Sequence, residues 1–145
     1  MPMKKMMLIG STSSGKTTLT QALYGHELVY RKTQAMEYSQ YMLDTPGEFI
    51  ENRHFYSALM TSSVDYDVIG LVHDCTRKNN HYPPCFTGMF NRPAIGIITK
   101  IDSDGCDVAY SREILKAAGA HTLFEISSVT GEGLAELKAY LGVAN

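Results

Sequence analysis

Residues Gly10-Ser11-Thr12-Ser13-Ser14-Gly15-Lys16-Thr17 satisfy the spacing G-x-x-x-x-G-K-[ST]. They follow an apolar run, Lys5 to Ile9, that reads as a buried strand. They open an amphipathic segment, Lys16 to Tyr24, whose Leu19, Ala22 and Leu23 share one helical face and whose stop is Gly25. Strand, glycine-rich turn and helix in that order form the context in which this spacing makes a phosphate-binding loop, or P-loop. Its glycines let the backbone curl until several N–H groups converge on phosphate oxygens, and the helix N-terminus adds a positive dipole. Lys16 places a point charge on the β- and γ-phosphates, and the Thr17 hydroxyl is a hard oxygen ligand for Mg²⁺. Gly10, Ser11, Ser13, Ser14, Gly15, Lys16, Thr17 and Thr18 are therefore the candidate residues for holding nucleotide phosphates.

The rest of the chain alternates buried strands with amphipathic helices. Met36 to Leu43 holds one or two short strands with a turn near Ser39-Gln40, and His26 to Ala35, without a clear period, reads as a loop. Glu48 to Ser63 is partly helical. Asp67 to His73 and Ala94 to Thr99 are β-rich apolar runs of the kind covered on both faces. Cys75 to Arg92 is irregular, since Pro83-Pro84 forbids a long helix. Val108 to Ala118 reads as a helix stopped by Gly119, Thr122 to Ile126 as a final strand, and Leu134, Leu137 and Leu141 as the stripe of a last helix. The order β-α-β-β-α-β-β-α-β-α predicts one three-layer α/β domain over residues 1–145, with a mostly parallel central sheet. Such sheets bind ligands at the carboxyl ends of their strands.

Three further segments fall at such strand ends. Asp44-Thr45-Pro46-Gly47 puts a carboxylate where it can hold Mg²⁺ through water, and the Gly47 N–H where it can meet a γ-phosphate. D-x-P-G alone is also an ordinary turn, and its position downstream of a P-loop is what favours the functional reading. In Thr99-Lys100-Ile101-Asp102, the Asp102 carboxylate can accept from a guanine's N1–H and N2–H₂ while the aliphatic stem of Lys100 lies along the base. Adenine would leave that carboxylate without partners, a loss of roughly 1–3 kcal/mol or more. Ser127-Ser128-Val129, at the entry to the last helix, can touch a guanine O6 through its backbone, and by itself is equally a simple loop.

Composition removes other classes. The 145 residues are 44% hydrophobic and 19% charged, which suits a folded core, and the formal net charge of −2 offers no basic surplus for nucleic acid. No apolar run is long enough to span a bilayer, and the amino-terminal stretch has neither the apolar length nor the cleavage site of a secretory signal, so a cytoplasmic location is expected. Cys75, Cys85 and Cys106 are odd in number and lack a C-x-x-C pair, so they read as reduced thiols. His73, Cys75, His81 and Cys85 fall in one window, but their spacing matches no common structural zinc pattern. Met3, Met6 and Met7 flank the first strand as core residues, and Tyr30, Tyr38 and Tyr41 bracket the loop before Asp44, where they face a partner or pack on the sheet edge.

In this order the four segments resemble the translation-factor-type small GTPase domain across nearly the whole chain. Gly10–Thr17, Asp44–Gly47, Thr99–Asp102 and Ser127–Val129 match its first, third, fourth and fifth motifs, and Thr33 is the natural candidate for the lone threonine of the second. The resemblance implies a P-loop NTPase fold that is small-GTPase-like, Mg²⁺ held by Thr17, Thr33 and Asp44, γ-phosphate chemistry around Lys16, Thr33, Gly47 and Glu48, and a base site of Thr99, Lys100, Asp102, Ser127 and Ser128. Two departures stand out. Thr99 takes the place of the usual Asn, which blurs base specificity. Glu48 takes the place of a water-positioning Gln and would repel the γ-phosphate, so intrinsic hydrolysis is expected to be slow.

The linking segments are more specific. Leu8-Ile9-Gly10, Lys16 to Leu23, Lys32 to Ala35, Asp44 to Arg53 and Pro83 to Gly96 are similar to the EutP/PduV family of ethanolamine- and propanediol-utilisation proteins. That resemblance implies GTP or ATP as the nucleotide, association with the shell proteins of a bacterial microcompartment, and an ATP-dependent acetate kinase activity as the alternative to a GTPase-type switch. A third reading is a non-catalytic tether to the shell. Transfer to acetate would need an anion pocket, for which Arg31, Lys32, Arg53 and His54 are the candidates.

Overall fold

The computed structural model describes residues 4–10, 18–19, 22–23, 31–32, 37–38, 42–45, 50, 52–78 and 82–142, with the backbone alone at 31–32, 37–38 and 42–44. Seven strands are found among them: β1 (Met6–Ile9), β2 (Arg31–Lys32), β3 (Glu37–Tyr38), β4 (Met42–Asp44), β5 (Val68–Asp74), β6 (Ala94–Thr99) and β7 (Thr122–Glu125). They form one sheet in the order β2-β3-β4-β1-β5-β6-β7. Strands β4, β1, β5, β6 and β7 are mutually parallel, and the short β2–β3 and β3–β4 pairs are antiparallel.

Strand pleat divides the apolar residues between two layers. Met6 and Leu8 join Val68, Val72, Ile95, Ile97 and Phe124 on one face, under Leu19, Leu23, Leu137 and Leu141. Met7 and Ile9 join Ile69, Leu71 and Ile98 on the other, under Leu59, Ile114, Leu115 and Ala118. Every residue of β1, β5 and β6 is buried, as parallel strands covered on both sides require. The covering helices are α1 (Tyr56–Ser63), α2 (Val108–Ala118) and α3 (Leu134–Leu141), and Thr18, Leu19, Ala22 and Leu23 are also helical. Asp107 caps α2 by accepting from the Tyr110 N–H at 3.1 Å, and Gly119 ends it in the left-handed conformation. Gly119 cannot be replaced cheaply, because a Cβ there would meet the Thr87 hydroxyl at 2.0 Å.

Most expected elements are present within a residue or two, and Met6 and Met7 lie in the core as read. Two expectations are corrected. The stretch from His26 to Ala35 is not wholly loop, because Arg31–Lys32 forms the edge strand β2. A two-residue charged edge has no apolar period to announce it, and only its pairing with β3 creates it.

The cysteines are not all reduced thiols: Cys75 and Cys106 form a disulfide. They are 31 residues apart in sequence, yet the Cys75 N–H donates to the Thr99 carbonyl at 3.2 Å and its carbonyl accepts from the Asp107 N–H at 2.7 Å. The first bond ties the end of β5 to the end of β6 and the second ties it to the loop before α2, where the two Cα atoms lie 4.7 Å apart, within reach of a bridge. Cys85 remains a free, exposed thiol. Loop-closure entropy for this separation gives the bridge a stabilising effect of about 3–4 kcal/mol. Urea denaturation with and without dithiothreitol should therefore differ in midpoint for the native chain and coincide for Cys106→Ser. Identical midpoints for the native chain would mean that the pair does not form in solution.

Candidate functional site

Strand order reverses direction around β1, with β4 on one side and β5 on the other. A switch point of this kind leaves a crevice outside the carboxyl ends of the strands. Gly10, the first P-loop residue, directly follows β1 at that point and is buried. The remaining P-loop positions Ser11, Ser13, Ser14, Gly15, Lys16 and Thr17 lie outside the described residues, as do Thr33, Gly47 and Glu48. Thr18 begins the described helical residues and is exposed.

Register carries the other segments to the same edge. Leu8 pairs with Asp44, so the Asp44 backbone ends β4 beside the strand that feeds the P-loop. Thr45 fixes that placement from a fully buried position. Its hydroxyl donates to the Leu8 carbonyl at 2.7 Å, and its N–H reaches the same oxygen at 3.2 Å. A carboxylate here and the hydroxyl of Thr17 are both hard oxygen donors, a donor set that suits Mg²⁺.

Asp74 pairs with Thr99 at the ends of β5 and β6, so Lys100 emerges next to Asp74. Thr99 is buried, and its hydroxyl donates to the His73 carbonyl at 3.3 Å. Lys100 has φ of +65°, a left-handed conformation that costs a side-chain-bearing residue about 1–2 kcal/mol. Its Nζ donates to Asp74 Oδ2 at 2.8 Å. Asp102 is exposed two residues on, and its Oδ1 accepts from the Ser127 hydroxyl at 2.7 Å. Ser127 is itself fully buried: its N–H donates to the Glu132 carbonyl at 2.9 Å, and its hydroxyl oxygen accepts from the Thr130 N–H at 3.1 Å. Ser128 is half-buried beside it. The Ile101 N–H, which donates to the Ile126 carbonyl at 3.3 Å, ties the two loops together. Thr99, Lys100, Asp102, Ser127 and Ser128 thus lie on two adjoining segments at the carboxyl ends of β6 and β7. A carboxylate has about four lone-pair sites, so Asp102 retains capacity for two N–H donors while bonded to Ser127.

Two residues of this edge carry no motif. Tyr82 is buried, and its hydroxyl lies 2.9 Å from the Ile9 carbonyl and 2.7 Å from the Val72 carbonyl. Its single proton is shared between the ends of β1 and β5 at the foot of the P-loop, and burial pushes the phenol far above its ordinary pKa, so it stays a neutral donor. Asp74 is 3% exposed. Its Oδ1 accepts from the Thr76 N–H at 2.9 Å and the Thr76 hydroxyl at 2.6 Å, and Arg77 Nε lies 3.4 Å from Oδ2. Asp74 had a legible signal, a carboxylate directly after a β-rich run, the same arrangement that singles out Asp44. Tyr82 had none.

The window from His73 to Cys85 is divided. The His73 ring bonds the Ser111 hydroxyl at 2.7 Å, Cys75 is in the disulfide, Cys85 is exposed, and His81 lies outside the described residues. Arg53 and His54 are exposed on a 3₁₀ turn before α1, while Arg31 and Lys32 form β2. Among the described residues no helix is long and apolar enough to cross a membrane.

A family model described as "Ethanolamine utilisation - propanediol utilisation" matches residues 3–143. The chain belongs to that family. It is 41% identical over 140 residues to a Citrobacter freundii propanediol utilization protein, PduV, covering 96% of this chain and 93% of the relative. It is 34% identical over 142 residues to the Escherichia coli K12 probable acetate kinase EutP, covering 96% and 89%. Among solved structures, the G domain of the T. maritima FeoB iron transporter superposes with a TM-score of 0.69 at 24% identity, covering 97% of this chain and 98% of that one. The family member described here therefore has the α/β P-loop, GTPase-like fold expected from its motifs.

The Asp74 environment has a consequence for acid stability. Burial works to raise its pKa, but the Lys100 ammonium and both Thr76 donors outweigh burial and hold the carboxyl below its ordinary value. A depressed carboxylate contributes stability above the unfolded-state pKa of about 3.9, and the contribution is lost as pH falls through the lower folded value. Asp74→Asn should therefore flatten the acid limb of the stability curve below about pH 4, measured by denaturant midpoint at successive pH values. An unchanged limb would mean that Asp74 is not ionised and paired in the native state.

Proposed function

We propose that this chain binds a purine nucleoside triphosphate with Mg²⁺ and acts as a slow, GTPase-type switch in ethanolamine or propanediol utilisation, beside the shell of a bacterial microcompartment. Lys16 and the backbone of residues 10–18 would hold the phosphates. Thr17, Thr33 and Asp44 would hold the metal, which neutralises phosphate charge when bound. Thr33 and Gly47 would sense the γ-phosphate, and Glu48, a carboxylate facing phosphate charge, accounts for slowness. Positioning and charge neutralisation are the chemistry such a site supplies. The single observation that carries the reading is the Asp102–Ser127 hydrogen bond beside Lys100. It holds an exposed carboxylate, an acceptor of two parallel N–H donors, just beyond the carboxyl end of β6. Guanine offers such a pair of donors, and adenine does not.

A competition titration of GDP against ADP on the Mg²⁺-loaded protein tests this. GDP should win by more than about a hundredfold, and Asp102→Asn should erase the preference. Equal affinities in the native chain would remove Asp102 as a base reader.

The likeness to relatives named probable acetate kinase supports a second reading. Here an acetate oxygen bonds to the γ-phosphorus of ATP as the bond to the β-phosphate oxygen breaks, giving acetyl phosphate and ADP. Trapping acetyl phosphate with hydroxylamine measures it, and Lys16→Ala should remove it entirely. Acetyl phosphate formed at the native rate by Lys16→Ala would place the chemistry outside the P-loop.

A further inference from the structure

The base loop leans on a residue that no nucleotide-binding motif includes. Asp74 stands at the carboxyl end of β5, paired in register with Thr99, and is nearly inaccessible. Both of its oxygens are engaged: Oδ1 by the backbone and hydroxyl of Thr76, Oδ2 by the Lys100 ammonium. The two Thr76 bonds lock the carboxylate from its own loop, so it is a fixed anchor and not a mobile counter-ion. Lys100 is the opposite case. Its side chain is 40% exposed, and its backbone sits in the left-handed region, which a lysine adopts only where its surroundings hold it. A four-carbon stem with one end in a strained backbone and the other free would sample many rotamers. With its ammonium held 2.8 Å from Asp74, the stem spans from the end of β6 back to the end of β5, two residues before Asp102 in the chain.

We propose that Asp74 is the positioning residue of the base site. It pins Lys100 so that the lysine stem is pre-ordered as the platform for a purine ring, and it thereby sets nucleoside affinity without touching the nucleotide. The inference rests on the reading of Lys100 and Asp102 as the base site. Fixing a rotamer-rich side chain before the ligand arrives removes that ordering cost from binding. Asp74 engages the Lys100 ammonium at the strand ends, while the Asp102 carboxylate accepts from Ser127 and keeps lone pairs for ligand N–H donors.

The test separates base from phosphate. Affinities of the full chain with Mg²⁺ are measured for GDP and for inorganic tripolyphosphate, which has no base. Asp74→Asn should weaken GDP by about tenfold, the scale of one charge-assisted hydrogen bond, and leave tripolyphosphate unchanged. In a Lys100→Met background, which keeps an apolar stem but has no ammonium to anchor, Asp74→Asn should change GDP affinity no further. Equal losses for both probes would mean a general structural role and would overturn the inference, as would an unchanged GDP affinity. Should Asp74→Asn not fold, Asp74→Glu carries the same test, because it keeps the charge but displaces the carboxylate by one methylene. If Asp102→Asn weakens GDP and Asp74→Asn does not, only the Asp74 inference falls. If the native chain binds GDP no better than tripolyphosphate, the base site itself falls, and the role of Asp74 with it.

Discussion

Parallel strands packed on both faces have no solvated side, and that constraint organises this molecule. Met6–Ile9, Val68–Asp74 and Ala94–Thr99 are buried along their whole length. Polar side chains with a ligand to meet can then stand only where strands end. Asp44, Asp74, Lys100, Asp102 and Ser127 all stand at or just beyond the carboxyl ends, and the P-loop begins there too. The exception inside a strand, His73, is satisfied internally by Ser111, as a buried polar group must be. At the crevice, buried backbone, charge and solvent access coincide.

Holding that edge in register is the work of a few polar bonds. Thr45 fastens the end of β4 to Leu8, and Tyr82 joins the carbonyls of Ile9 and Val72. The Cys75–Cys106 bridge and the Asp107 N–H to Cys75 carbonyl bond fasten the base loop to β5. Each sits within two residues of a strand end. They act where the ladder's own hydrogen bonds run out, so the loops inherit the rigidity of the sheet. Functional side chains mounted on such loops are positioned by the scaffold and still reach the ligand.

Family membership and the fold agree on a P-loop NTPase-like protein of ethanolamine or propanediol utilisation. The proposed base site has unequal parts. Asp102 is exposed and held by one hydroxyl, whereas the anchor of Lys100 is a buried carboxylate with four polar neighbours. Thr99, which stands where the related GTPase motif has Asn, spends its hydroxyl on the His73 carbonyl and so supports the strand pair. Support for the loop is consequently drawn from β5 more than from the motif's own first residue.

Local sequence was enough for everything governed by short-range rules. Continuous apolar runs located β1, β5 and β6, the stripe of Leu134, Leu137 and Leu141 located α3, Gly119 placed the stop of α2, and the spacing from Gly10 to Thr17 announced the P-loop. Strand ends followed from those patterns, and with them Asp44, Lys100, Asp102 and Ser127. What depended on contacts between distant segments was not legible. The pairing of Cys75 with Cys106, the edge strand at Arg31–Lys32, the reach of Tyr82 across two strands and the grip of Asp74 on Lys100 each join residues whose separation carries no period. Periodicity records which face of an element is buried. It does not record which residues of other elements arrive there, and only the closed sheet decides that.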